Sequence, residues 1–276
     1  MTILQLIILA LVQGITEFLP ISSSGHLILI PALTGWVDQG LMMDVAMHVG
    51  TLTAVLIYFR NETKGLALAA AASIGVRPAR KAIEGTIYHK LFWALVIGTI
   101  PMVIVGGLIV ATGANDHMRA PEVIATTSIV FGLLLYIADK KSAVEKTLDR
   151  MAIKPALIIG VAQIFALIPG TSRAGVTMMA ARYLGFTRPE AARFSMLLSI
   201  PAIIASGAAT AVKAFENATP EMWADAAIGA SLACAAALVA IHFLMRWLEH
   251  ANMTIFVVYR VLLGVILFSL IGAGML

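Results

Sequence analysis

The chain has 276 residues, of which 60% are hydrophobic and 12% charged, and 19 Lys and Arg against 15 Asp and Glu leave a net charge of +4. Soluble globular chains are about 45–50% apolar and about 25% charged, so this composition argues against a soluble enzyme or a nucleic-acid binder and for a polytopic helical membrane protein. The single cysteine, Cys234, rules out an internal disulfide and a cysteine metal site.

The first apolar segment, Met1–Leu19, carries Gln5, Gln13 and Glu17 and breaks at Pro20 into Ile-Ser-Ser-Ser-Gly-His. Met1 to Val12 hold no positive side chain and lead to no small-residue cleavage site, unlike a secretory leader. A membrane crossing takes about 20 apolar residues. Six are predicted: Leu41–Phe59, interrupted by Asp44; Leu91–Ala111; Val123–Ala138; Phe194–Val212; Ala226–Met245; and Met253–Leu276, interrupted by Arg260. Pro155–Ile168 is too short to cross and breaks at Pro169 into Gly-Thr-Ser-Arg-Ala-Gly. The two short segments read as re-entrant hairpins, since broken backbone at membrane depth is tolerated only where protein buries it or it lines a wet cavity.

Loop charges set the orientation. Arg60, Lys64, Arg77, Arg80, Lys81 and Lys90 crowd one loop, and Lys140, Lys141, Lys146, Arg150 and Lys154 another. The loops at 112–122 and 213–225 carry little positive charge. The positive-inside rule puts the first pair in the cytoplasm and the second pair outside, with both termini outside. Residues 1–138 run as a broken segment followed by three spans, and residues 155–276 repeat that order. An odd number of crossings per half inverts one against the other. The expected fold is therefore an all-α integral membrane protein of six transmembrane helices and two re-entrant hairpins. It forms a single membrane domain, 1–276, in which two inverted-topology repeats are joined by a basic cytoplasmic loop, 139–154. Inverted repeats with broken helices place their site where the repeats meet, and this pattern alone favours a transporter.

Glu17 is the only acid before Asp38, and Gln13 lies one helical turn before it on the same face. Ionisable groups in apolar surroundings usually face a cavity or a partner. Ser22, Ser23 and Ser24 can cap the next helix, or set a hydroxyl beside the His26 imidazole as a nucleophile with its base. In the second break, Gly170, Thr171, Ser172, Arg173, Gly175 and Thr177 combine turn-forming glycines, hydroxyls and a guanidinium, a pattern suited to an anion. Asp44 and His48 share a helix face and could support Glu17 or His26. Arg260 could neutralise a buried acid or reach outward. Together the breaks offer carboxylate, hydroxyl and imidazole on one side and a phosphate clamp on the other.

The stretch from Gln13 to His26 resembles the first signature of the undecaprenyl-diphosphate phosphatases of the bacitracin-resistance type, and Pro169 to Thr177 resembles their second. His48-Val-Gly-Thr51 and Tyr259-Arg260 also resemble family patterns, and the similarity covers nearly the whole chain in order. The resemblance implies an integral hydrolase of the bacterial inner membrane, open to the periplasmic face. It would convert a polyprenyl diphosphate to the monophosphate carrier lipid and inorganic phosphate, supporting cell-wall assembly and bacitracin resistance. It implies a catalytic set of Glu17, Ser23, His26, Ser172 and Arg173 and a divalent cation. On this basis we expect Mg²⁺ or Ca²⁺ held by Glu17 and Gln13, phosphate contacts from the 170–177 loop, and support from Ser22, Ser24, Asp44, His48 and Arg260. Ser23, His26 and a water remain alternative nucleophiles. Two positions depart from the family pattern: Gln13 stands where Glu is frequent, and Ala174 where Ser is frequent. The rival reading is a polyprenyl-phosphate or anion transporter built on the same repeat. The partners expected are the lipid and the membrane, with no nucleic acid; the oligomeric state is open, a homodimer included.

Overall fold

Caps and prolines mark where the apolar runs become helices. Thr2 forms a capping box with Gln5 at the start of α1 (Ile3–Thr16). α2 (Ser23–Thr34) ends at Gly35, which takes the left-handed conformation at φ 70°. α3 (Gly40–Tyr58), α6 (Tyr88–Thr112) and α7 (Pro121–Lys141) follow, with α4 (Arg60–Ser73) and α5 (Arg77–Ala82) between α3 and α6. α8 (Ile153–Gln163) runs into a 3₁₀ turn at Ile164–Leu167 and then α9 (Arg173–Tyr183). α10 (Arg188–Phe215) and α11 (Pro220–His250) begin on Thr187 and Thr219, whose side chains cap Glu190 and Met222 and are followed by proline in the first turn. α12 (Thr254–Gly272) is last. The computed structural model describes residues 1–112, 116–141, 145–216 and 218–276, and no strand occurs among them.

Six helices are long and apolar enough to cross a membrane: Gly40–Tyr58, Tyr88–Thr112, Pro121–Lys141, Arg188–Thr210, Pro220–His250 and Thr254–Gly272. They make the chain a multi-pass membrane protein, and each matches one predicted crossing. Several run past the sequence boundaries because charged end residues such as Arg188 and Lys141 stay helical. α4 and α5 lie inside the first basic loop, which the sequence reading left without structure. Part of the second basic loop, residues 142–144, lies outside the described residues.

The helices pack through small residues, as expected where no hydrophobic drive separates helix from lipid. α3 and α1 lie on α11, α8 lies on α6, α7 on α12, and α10 lies between α3 and α6. A side chain at Gly50 would collide with the Ala230 backbone, and one at Gly160 with that of Gly98. Phe18, Phe186, Phe194 and Met178 are fully buried at the centre, whereas Leu4, Val110 and Val239 face outward. At one end of the bundle Asp139 joins four helices. Its Oδ1 accepts from Arg182 Nε at 3.0 Å and Arg188 Nε at 2.8 Å, and its Oδ2 from the Met253 N–H at 3.2 Å.

Candidate active site

Both polar breaks fold into the same turn. Ser22 and Ser172 have positive φ, 75° and 71°, a region that is costly for any residue with a Cβ. Each then caps the following helix by accepting from the N–H three residues on, Gly25 for Ser22 and Gly175 for Ser172. The turns face one another closely: a Cβ at Gly25 would lie 3.6 Å from Gly170 Cα. Arg260 ties them together. It is fully buried, and its guanidinium donates to the carbonyls of Pro20 at 3.1 Å and Gly170 at 2.9 Å, and to those of Thr127 and Ser128 on α7. Broken backbone leaves carbonyls without helical donors, and this one side chain satisfies one in each break while anchoring itself on two carbonyls of α7.

Glu17 sits where the breaks meet. Its carboxylate is buried; Oε2 accepts from Gln13 Nε2 at 3.0 Å and from Ser23 Oγ at 2.7 Å. Oε1 accepts from Arg173 NH2 at 3.2 Å. The other arm of Arg173 donates to the Ser195 carbonyl on α10 at 3.0 Å, and its guanidinium lies over the Phe18 ring. Thr177 Oγ1 and Ser195 Oγ are 2.7 Å apart, locking α9 to α10 below that contact. A cavity of about 180 Å³ opens beside these groups, lined by Glu17, Ser23, His48, Ser172, Arg173 and Ser206 among others. An acid, a hydroxyl hydrogen-bonded to it, a guanidinium and an imidazole thus share one hollow, an arrangement suited to transferring an anionic group to a hydroxyl.

The bacitracin resistance protein BacA family model matches residues 6–266. Proteins named undecaprenyl-diphosphatase from Teredinibacter turnerae and Campylobacter curvus are each 46% identical to this chain, and one from Roseobacter denitrificans is 47% identical. These alignments cover 97% of the chain and 98–99% of each relative. The chain belongs to the BacA family.

In this BacA-family chain the structure brings Gln13, Glu17, Ser23, Ser24, His48, Ser172 and Arg173 to one place or its immediate wall. It does not form the Ser23–His26 pair expected from the sequence. The Ser22 carbonyl can only accept, so His26 Nδ1, 2.6 Å away, must donate to it. In the neutral ring the lone pair is then on Nε2, which meets the Tyr259 hydroxyl at 2.5 Å. Ser23 instead donates to Glu17. By the same logic the Asp44 carbonyl fixes the proton of His48 on Nδ1 at 2.7 Å. His48 Nε2 therefore faces the cavity, 3.7 Å from Glu17 Oε2.

The anion cradle is narrower than the sequence suggests. The Gly175 N–H is taken by Ser172, the Thr171 N–H by the Ile168 carbonyl, and the Gly170 carbonyl by Arg260. Thr171 is fully buried, Thr177 is committed to Ser195, and Ser172 and Arg173 are the loop residues on the cavity wall. The Asp44 carboxylate is held by Gln39 and reaches neither Glu17 nor His26. Arg260 neither neutralises an acid nor points outward, because four carbonyls of broken or crossing backbone claim it. Sequence reasoning missed Ser195 as Arg173's anchor: it lies within an uninterrupted apolar run, and its carbonyl leaves no trace in residue type.

Proposed function

We propose that this BacA-family protein is an undecaprenyl-diphosphate phosphatase, hydrolysing the lipid diphosphate to the lipid monophosphate and inorganic phosphate. The observation that carries the reading is the 2.7 Å hydrogen bond from Ser23 to Glu17 in a cavity walled by Arg173, in a chain 46–47% identical to proteins named undecaprenyl-diphosphatase. The terminal phosphoryl group rests against Arg173, which neutralises charge as it develops. Ser23 Oγ attacks the terminal phosphorus as its proton passes to Glu17. The bond to the bridging oxygen breaks, and the electron pair leaves with the lipid monophosphate. Water then attacks the phosphoserine, giving its proton to His48 Nε2; the P–Oγ bond breaks, Glu17 returns its proton to Ser23 Oγ, and inorganic phosphate departs with the proton from His48. A phosphate leaving group, whose second pKa is about 6, needs little help from an acid, so the position of His26 outside the cavity is no obstacle.

A divalent cation fits the donors at hand. Glu17 is a carboxylate, and the Gln13 amide that donates to it through Nε2 has a buried oxygen with no hydrogen-bond partner, which a flip of the amide would set toward the carboxylate. No cluster of three or more His, Cys, Asp or Glu occurs among the described residues, so diphosphate oxygens would complete the shell, as is usual for Mg²⁺. Glu17 and Gln13 would hold the ion, and its chemistry would be to offset charge on the transferring group.

The two halves support the inverted-repeat reading. Gln13 and Gln163, Ser22 and Ser172, and Gly25 and Gly175 stand at one constant spacing in sequence. The first arm of each break packs on the middle long helix of the other half, α1 on α11 and α8 on α6. We place the protein in the bacterial inner membrane with its cavity open to the outer face, on the loop charges above.

The test is phosphate release from a polyprenyl diphosphate by purified protein in detergent, with Mg²⁺, Ca²⁺ or a chelator. Release that needs the metal and falls by about 10²-fold or more in Ser23→Ala and Arg173→Ala is expected. Ser23→Ala at near-full rate would remove the serine from the chemistry and leave an activated water.

A further inference from the structure

Three hollows meet along α10. The polar cavity shares Met102, Leu167 and Ser206 with an apolar hollow of about 320 Å³ between α6 and α10. It shares His48, Ile203 and Ser206 with another of about 470 Å³ between α3 and α10. Both hollows run along α10 in the same direction, the α3/α10 hollow from Ile203 to Thr210 and the α6/α10 hollow from Ala205 to Thr210.

We propose that the α6/α10 hollow receives the first isoprene units of the lipid tail, while the α3/α10 hollow is left to water and free lipid. The inference rests on the phosphatase reading above. A prenyl chain begins one oxygen away from the diphosphate, so the tail must leave the cavity through a wall continuous with it. Two walls qualify, and chemistry separates them. The α3/α10 hollow carries Asp44 and the polar edge of His48, and packing a hydrocarbon there would strip water from both. The α6/α10 hollow holds no ionisable side chain. Its walls carry the small Gly106 and Gly107 on α6 and Ala205 and Ala209 on α10, which leave the space unfilled, and Leu167 forms its junction with the cavity, in contact range of a Cβ built at Gly106, 3.4 Å away. The tail would thus lie against Val103, Gly107 and Ala209 with the diphosphate between Ser23 and Arg173.

Two glycines make this testable without disturbing the bundle. A Cβ at Gly107 or at Gly207 would meet nothing within 4 Å; Gly107 lines the α6/α10 hollow and Gly207 the α3/α10 hollow. Gly107→Leu and Gly207→Leu would each fill one hollow. The full chain in detergent would be assayed for phosphate release from a one-isoprene and a three-isoprene prenyl diphosphate. Gly107→Leu is expected to raise KM for the longer substrate about tenfold, the loss of two or so methylene contacts, with kcat and the short substrate little changed. Gly207→Leu should leave both substrates within about twofold. Ala209→Leu, from the opposite wall, should repeat the Gly107→Leu result and covers the case in which that variant is unstable. A selective KM increase in Gly207→Leu alone, or in none of the variants, would overturn the assignment. No release from either substrate by the unsubstituted protein would instead defeat the phosphatase reading, and the tail site with it.

Discussion

His26 and His48 lie on either side of the same serine-rich turn, yet their ring nitrogens do opposite things. Backbone carbonyls fix the Nδ1 proton of both, and the remaining lone pair of His26 meets Tyr259 while that of His48 faces the cavity. His48→Ala should therefore lower kcat by about 10²-fold, the usual scale for a lost acid–base group, with the thermal midpoint in detergent nearly unchanged. His26→Ala should lower the midpoint as well, because it unties α2 from α12, and Tyr259→Phe should reproduce part of that loss of stability. A kcat loss confined to the His26 variant would reverse the two roles. Glu17, Ser23 and Arg173 were legible in the sequence because a carboxylate, a hydroxyl run and a guanidinium are costly in apolar surroundings. The direction of an imidazole was not legible. His26 is only three residues from Ser23 on the same helix, but the Ser22 carbonyl and the Tyr259 hydroxyl claim its two ring nitrogens while Ser23 turns to Glu17.

At the level of the elements, the two breaks depend on one residue in a third place. Arg260 on α12 is a fully buried cation with four carbonyl partners and no carboxylate at ion-pair distance among the described residues. An unsatisfied buried acceptor costs about 1–3 kcal/mol. Arg260→Met should therefore destabilise the protein by about 3 kcal/mol or more and abolish phosphate release, since both the Pro20 and Gly170 turns lose their common donor. Arg260→Lys keeps the charge but offers donors from a single point, and it should recover little of the lost stability. Thermal unfolding in detergent beside activity checks this; an Arg260→Met protein with a wild-type midpoint would show that water replaces the guanidinium. The sequence marked each long helix by an apolar run with at most one charge and each break by its proline, but not the helices of the first basic loop. α4 mixes Arg60, Glu62 and Lys64 with alanines, which resembles a solvated loop to any test based on apolar runs. Its Gly65 accommodates the Tyr88 ring, a tertiary contact that local pattern does not reveal.

For the molecule as a whole, the ends of the bundle differ in chemistry. Asp139, Arg182 and Arg188 close the end that carries the second basic loop, where α7 and α9 finish and α10 and α12 begin. The cavity and its two flanking hollows lie on the other side of that closure, along the later turns of α6 and α10. A diphosphate too polar to cross lipid would then reach Glu17 and Arg173 from one face only, which in the orientation proposed above is the outer one. Six crossings put the first basic loop and the 213–225 loop on opposite sides, which single cysteines can report. In a Cys234→Ser background, Lys81→Cys and Glu221→Cys each place a thiol at an exposed position. A membrane-impermeant maleimide added to intact spheroplasts should label Glu221→Cys, and should reach Lys81→Cys only after the membrane is opened. The reverse pattern would invert the molecule and turn the cavity toward the cytoplasm. Labelling of both in intact spheroplasts would mean that the six apolar helices do not all cross, and would undo the pairing of the two breaks as inverted halves.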